Sequence, residues 1–229
     1  MPGALRHGDS TGADTLALHL ERYHWAAARL QPGVILDLAC GVGYGSVLLA
    51  DLNPGTRVVG ADISRDALSE ARRTYQHPRV AFVRGNGGGA LQSARFDTIV
   101  SLETIEHVPD PGQFFSELVD LLVPGGRLIA SVPVTPSVDV NPHHRTDFTK
   151  RSFLALGEQR GLRMLDSHLQ IQRFQPLRIL TRTEQRTRDL RPHLFRYYLS
   201  HPTAAVKRLA TTLRHGFSNH YLTVAWQKP

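Results

Sequence analysis

The segment Val34-Ile35-Leu36-Asp37-Leu38-Ala39-Cys40-Gly41-Val42-Gly43-Tyr44-Gly45 decides the fold. Its first half is an apolar run without alternation, the pattern of a strand buried on both faces. Its second half places glycines at alternate positions, which lets backbone come close to a ligand. A helix over 45–52 is predicted next, and Asn53-Pro54-Gly55 turns the chain. A strand, a glycine loop and a helix, in that order, open a nucleotide-type α/β unit.

Outward from this unit the same rhythm repeats. Upstream, Leu16, Leu20, Tyr23, Ala27 and Leu30 lie at helical spacing, predicting an amphipathic helix over 14–30 that Gln31-Pro32-Gly33 stops. Downstream, strands are predicted at 58–62, 80–84, 96–102 and 127–132. Helices lie between them, one running from an N-cap at Ser64 to about Tyr75 and one over 111–122, before the turn Pro124-Gly125-Gly126. Strands alternating with helices imply a parallel sheet covered on both faces, wound by right-handed crossovers. Beyond residue 150 a helix to Gly161, strands at 162–170 and 221–227, and helices near 176–200 and 203–215 are expected. The predicted fold is therefore α/β and Rossmann-like, a doubly wound, mostly parallel sheet with an antiparallel last strand. The chain reads as one domain over 1–229. Its parts are an N-terminal lid helix (14–30), a cofactor-binding core (33–170), a basic helical insertion or acceptor cap (171–219) and the last strand (220–228).

The bulk numbers fit this. At 229 residues, 41% hydrophobic and 21% charged, the composition is that of a globular domain. No apolar run approaches the ~18 residues of a membrane span, and Met1–Ser10 shows no signal-peptide pattern. The single cysteine, Cys40, fits a reducing cytoplasm. Charge is uneven. Residues 1–150 carry 13 Lys/Arg against 16 Asp/Glu, and residues 151–229 carry 14 against 4. Such a basic end suits an anionic partner (nucleic acid, a phospholipid surface or a phosphate-bearing substrate) or simply an Arg-rich solvated face.

The spacing of the loop narrows its ligand. A dinucleotide site wants Gly-x-Gly-x-x-Gly with the diphosphate on the helix N-terminus. Here the pattern is Asp37-x-x-x-Gly41-x-Gly43-x-Gly45, with the third glycine one residue early. Asp37 would repel a diphosphate and attract a cation such as a sulfonium or ammonium. Asp62, ending the second strand, can accept from both hydroxyls of a ribose, and Ile63 can cover an adenine face.

Val34–Tyr44, Val58–Ser64, Phe82–Asn86, Phe96–His107 and Leu121–Val132 resemble the successive motifs of class I S-adenosylmethionine-dependent methyltransferases, closest to the type 11 small-molecule group. The resemblance covers roughly residues 15–170. It implies S-adenosyl-L-methionine as cofactor, with contacts at Asp37, Ala39, Gly41, Gly43, Asp62, Ile63, Asn86, Gly87 and Leu102. The family usually has Asp where Asn86 stands, and the Gly87-Gly88-Gly89 run is unusual.

The acceptor side has two readings. Glu103-Thr-Ile-Glu106-His107 follows the fourth strand at the cofactor end of the sheet, where His107 is placed as a general base with Glu103 beside it, for a hydroxyl on a small or sugar-like acceptor. Histidine there also suits packing or capping. Alternatively, Glu103, Glu106, His107 and His143 or His144 resemble the metal-binding set of small-RNA 2′-O-methyltransferases, where a divalent ion lowers a ribose hydroxyl pKa. A non-catalytic binding module on the same fold is a third class. Trp25, Phe195, Tyr197 and Tyr198 are candidates to line the acceptor pocket, and a basic helix at Leu177–Leu199 is a candidate for peripheral membrane contact.

Overall fold

The computed structural model describes residues 10–86, 91, 94–173, 191 and 193–229. Helix α1 (Ser10–Ala27) leads into β1 (Gly33–Leu38), α2 (Tyr44–Leu52), β2 (Thr56–Asp62), α3 (Arg65–Thr74), β3 (Val80–Arg84) and β4 (Phe96–Leu102). A 3-10 turn (Ile105–His107), α4 (Pro111–Asp120), β5 (Leu122–Pro133), α5 (Lys150–Gln159) and β6 (Arg163–Arg173) follow. The chain closes with α6 (Leu194–Ser200), α7 (Pro202–His215) and β7 (Ser218–Gln227).

One sheet runs β3-β2-β1-β4-β5-β7-β6. The first five strands are parallel, and β7 lies antiparallel between β5 and β6. Strand order reverses between β1 and β4, so loops after both strands open into the crevice where α/β sheets take ligands. The unalternating run of β1 is explained by burial on both faces. Leu36 and Leu38 join a core with Phe115 and Leu118 of α4, Phe153 of α5 and Trp226. Ile35 and Val100 join the opposite core with Tyr23 and Ala26 of α1 and Leu49 of α2.

Helix starts follow their caps. Ser64 Oγ accepts from Ala67 N at 3.2 Å, and Asp110 Oδ1 accepts from Gln113 N at 2.9 Å. Thr149 and Ser152 form a reciprocal capping box.

Three expectations are corrected. The Pro124-Gly125-Gly126 turn does not precede the fifth strand but lies within it. Phe96 pairs with Leu122 and Thr98 with Arg127, so the turn is accommodated as a bulge. The last two strands are longer than their apolar patterns, because backbone pairing continues to Arg173 opposite Ser218. Helix α6 begins at Leu194, and the earlier part of the expected 176–200 helix lies outside the described residues, as does Gly87.

Candidate active site

The loop between β1 and α2 threads through left-handed backbone at Ala39 (φ 63°), Gly41 (φ 55°) and Gly43 (φ 87°). A non-glycine residue held there is strained, and Ala39 sits at the carboxyl end of β1. A side-chain carbon placed on Gly41 would meet nothing within 4 Å, so this glycine faces open space. On Gly45 the same carbon would lie 2.0 Å from the Tyr23 ring. That glycine makes room for α1.

Asp37 lies beneath this loop, 1% exposed. Its carboxylate accepts from Tyr23 Oη at 3.1 Å and from Ser46 Oγ at 2.6 Å. Burial raises its pKa to about 6, and the two hydroxyl bonds oppose that shift. The segments around His19–Tyr23 and Gly43–Ser46, far apart in sequence, thus meet. His19 Nδ1 lies 3.1 Å from Tyr44 Oη, and the Tyr23 and Tyr44 rings pack edge to face. Asp62 ties the loop from the other side. Its Oδ2 accepts from Gly41 N at 2.9 Å and its Oδ1 from Ser64 N at 2.8 Å. Beside it Ile63, 66% exposed, presents an uncovered apolar side chain. Asn86 stands exposed just after β3, and Leu102 closes β4 on the same edge of the sheet.

Arg22 was not singled out in the sequence, and only its 2% exposure distinguishes it. Its Nη1 donates to Gln170 Oε1 at 3.0 Å and its guanidinium lies over the Tyr221 ring, while Nε, also buried, finds no acceptor. No carboxylate pairs with it among the described residues. A helix that places Arg22 and Tyr23 next to each other reads as ordinary amphipathic sequence, so no signal marked the arginine.

Beyond β4, Glu103 adopts a left-handed backbone (φ 53°). Its carboxylate accepts from Ser131 Oγ at 2.7 Å and its N–H donates to Ser131 O at 3.1 Å. Glu103 is thereby drawn to β5. The carboxylate nearest His107 is that of Glu106, 3.8 Å from Nε2. Glu106 is 1% exposed and neither of its side-chain oxygens has a hydrogen-bond donor. Burial, then the charge of Glu103, pushes its carboxyl well above the usual range. His107 Nδ1 lies 3.1 Å from the carbonyl oxygen of His143. A carbonyl only accepts, so Nδ1 is the donor in this contact.

Three residues of the expected metal set lie together, with His144 as the distal histidine. Glu106, His107 and His144 have ligand atoms within 4.8 Å of one another. His143 contributes its carbonyl instead of its ring, and Glu103 is held by Ser131. His144 packs edge to face on His107, bonds Ser137 through Nδ1 at 2.7 Å, and has its pKa lowered to about 4 by burial. The loop carrying it is stitched to the 3-10 turn by Arg145 N and Thr146 N, which donate to Glu106 O.

The aromatic candidates have other partners. Trp25 packs under Arg29 and against His168, pinning α1 to β6. Tyr197 stacks on His201, Tyr198 donates to Asp139 at 2.7 Å, and Phe195 is exposed.

A seven-stranded sheet of this order, with an acid–glycine loop at its reversal point and an acidic residue ending β2, is similar to that of the class I S-adenosylmethionine-dependent methyltransferases. Within that class, residues 36–130 match the methyltransferase domain of the type 11 family. A protein of Mycolicibacterium smegmatis named as an S-adenosylmethionine-dependent methyltransferase is 33% identical over 152 residues, covering 63% of this chain and 58% of that protein. The match thus spans little more than half of that relative. A ubiquinone biosynthesis O-methyltransferase of Xanthomonas axonopodis is 29% identical, covering 75% of this chain and 80% of its own. A Bacillus halodurans protein whose name assigns it to the methyltransferases superposes with a TM-score of 0.69 at 22% identity over 92% of this chain and 98% of its own, which is a likeness of fold.

Proposed function

We propose that this chain binds S-adenosyl-L-methionine and directs methyl transfer to a hydroxyl of a small or sugar-like acceptor. The observation that carries the reading is the pairing of buried charges around the glycine loop. Asp37 is a buried carboxylate that burial makes costly to ionise, and Arg22 is a buried cation that no carboxylate among the described residues contacts in an ion pair. A zwitterionic amino-acid end offers each the opposite charge. Asp62, beside the exposed Ile63, suits a ribose and an adenine, and Gly41 leaves the approach open. Asn86 accepts through its amide oxygen.

When bound, the cofactor supplies a methyl group on a sulfonium whose departure leaves a neutral thioether. The protein's work is then alignment and exclusion of water. For a hydroxyl acceptor a proton must also leave, and Nε2 of His107, whose Nδ1 donates to His143 O, is the group to take it. Oxygen as the acceptor atom is supported by the name of the Xanthomonas relative.

Titration calorimetry with S-adenosylhomocysteine tests the reading. Binding is expected in the parent chain and lost in Asp62→Ala. Uptake of a nicotinamide dinucleotide in preference to the nucleoside overturns it.

A second reading rests on Glu106. Its two unpartnered buried oxygens, with His107 and His144 beside them, form a donor set for a divalent cation. Such an ion, when bound, supplies Lewis acidity toward the acceptor hydroxyl. Turnover that survives a strong chelator unchanged removes this reading and leaves the first intact.

A further inference from the structure

Helix α7 is built inside out. A surface helix ordinarily turns its large apolar residues toward the core and its charges toward water. In α7, Arg208 turns inward, and the exposed Lys207 reaches back to the body of the protein. Lys207 Nζ pairs with Asp147 at 2.6 Å, and Arg208 Nε donates to Asp139 at 2.8 Å and Nη2 to Pro136 O at 2.8 Å. Val206, Leu209 and Leu213, on one helical stripe, are 68%, 62% and 80% exposed. Phe195 and Leu199 of α6, which packs against α7, and Phe217 just after it are also exposed. Of eleven exposed large hydrophobic residues among the described ones, these six fall within 23 positions. Exposure clustered in this way marks a surface that meets something apolar.

The charge around the stripe says what that is. Residues 190–229 contain no Asp or Glu. Arg196 and Arg214, on the same two helices, are exposed. We infer that the α6–α7 face docks on an anionic phospholipid surface, its Phe and Leu side chains entering the acyl boundary while Arg196 and Arg214 meet lipid phosphates. A second copy of the chain would bring like charge against like charge, which disfavours self-association through this face. Ion pairs from the other side of α7 tie this helix to the loop that carries His143 and His144. The inference is independent of the proposed reaction.

Co-sedimentation of the full chain with vesicles tests it. Binding is expected to vesicles of phosphatidylcholine with phosphatidylserine, weakly or not at all to phosphatidylcholine alone, and to fall as salt rises. Replacing both Arg196 and Arg214 by Gln should weaken partitioning about twenty-five-fold, at roughly a factor of five for each basic residue at the surface. Leu209→Asp with Leu213→Asp should abolish it while the circular dichroism spectrum and thermal midpoint hold, since both side chains already face water. Absence of sedimentation with either vesicle, equal binding to both, or a dimer in light scattering that the Leu variants dissociate would overturn it.

Discussion

The Tyr23 hydroxyl donates to Asp37 Oδ1 at 3.1 Å, joining α1 to the carboxylate under the glycine loop. The bond is buried and its acceptor is ionisable, so it belongs to the stronger class of hydrogen bonds. Tyr23→Phe removes only the donor. The expected cost is ~1.5–3 kcal/mol of unfolding free energy, measured by denaturant titration, together with weaker S-adenosylhomocysteine binding. Unchanged stability would show that the hydroxyl is dispensable and that α1 is held by packing alone.

Asp37 also sets a pH dependence. Its folded pKa, about 6, lies above its ordinary value of 3.8. The folded state therefore holds the proton more tightly than the unfolded state between those values. The stability this provides is fully present below the unfolded pKa and is lost as pH rises through 6. The loss is about 3 kcal/mol for a shift of this size. Asp37→Asn is expected to flatten the ligand-free stability profile between pH 4 and 6 and to abolish nucleoside binding. A profile identical to the parent's would contradict the assignment.

Two glycines of the loop should respond in opposite ways. Gly45→Ala drives a methyl into the Tyr23 ring and should destabilise by ~1–3 kcal/mol through overpacking. Gly41→Ala meets no neighbour and pays only the left-handed backbone, ~1–2 kcal/mol. Its methyl enters the open space above the loop, so ligand affinity should fall more than stability does. Thermal midpoints and calorimetry on both variants separate the two effects.

Arg22→Met keeps the volume and removes the buried cation. Because the guanidinium has no carboxylate partner, ligand-free stability should change little, by about 1 kcal/mol for the lost bond to Gln170. Binding of S-adenosylhomocysteine should weaken by about tenfold to a hundredfold, reflecting the lost charge-assisted contact. Equal affinity in parent and variant would remove Arg22 from the cofactor site.

His107→Gln is expected to leave nucleoside binding intact and to cut turnover by about 10²–10⁴-fold, the range for loss of a general base. The readout is methyl transfer from labelled cofactor to a panel of phenols and sugars. Full activity in the variant would assign His107 to packing against His144.

The order of strands and helices was legible in the sequence because both-face burial writes itself locally. Val34–Leu38 is an unalternating apolar run, and Ser64 announces its helix by cap chemistry. The pairing of Asp37 with an early glycine was legible too, since it depends on spacing within one turn. Tertiary structure decided what depends on distance between remote segments. The sequence does not reveal that Gly45 exists for Tyr23, that Arg22 is buried with no ion pair among the described residues, or that His144 and not His143 turns its ring to His107 and Glu106. Nor does it reveal that α7 faces its leucines outward, because helical periodicity marks an apolar stripe without saying which way it points. Local patterns report the burial of a segment along its own axis. Which buried groups end up partnered, and which do not, is a property of the packed whole.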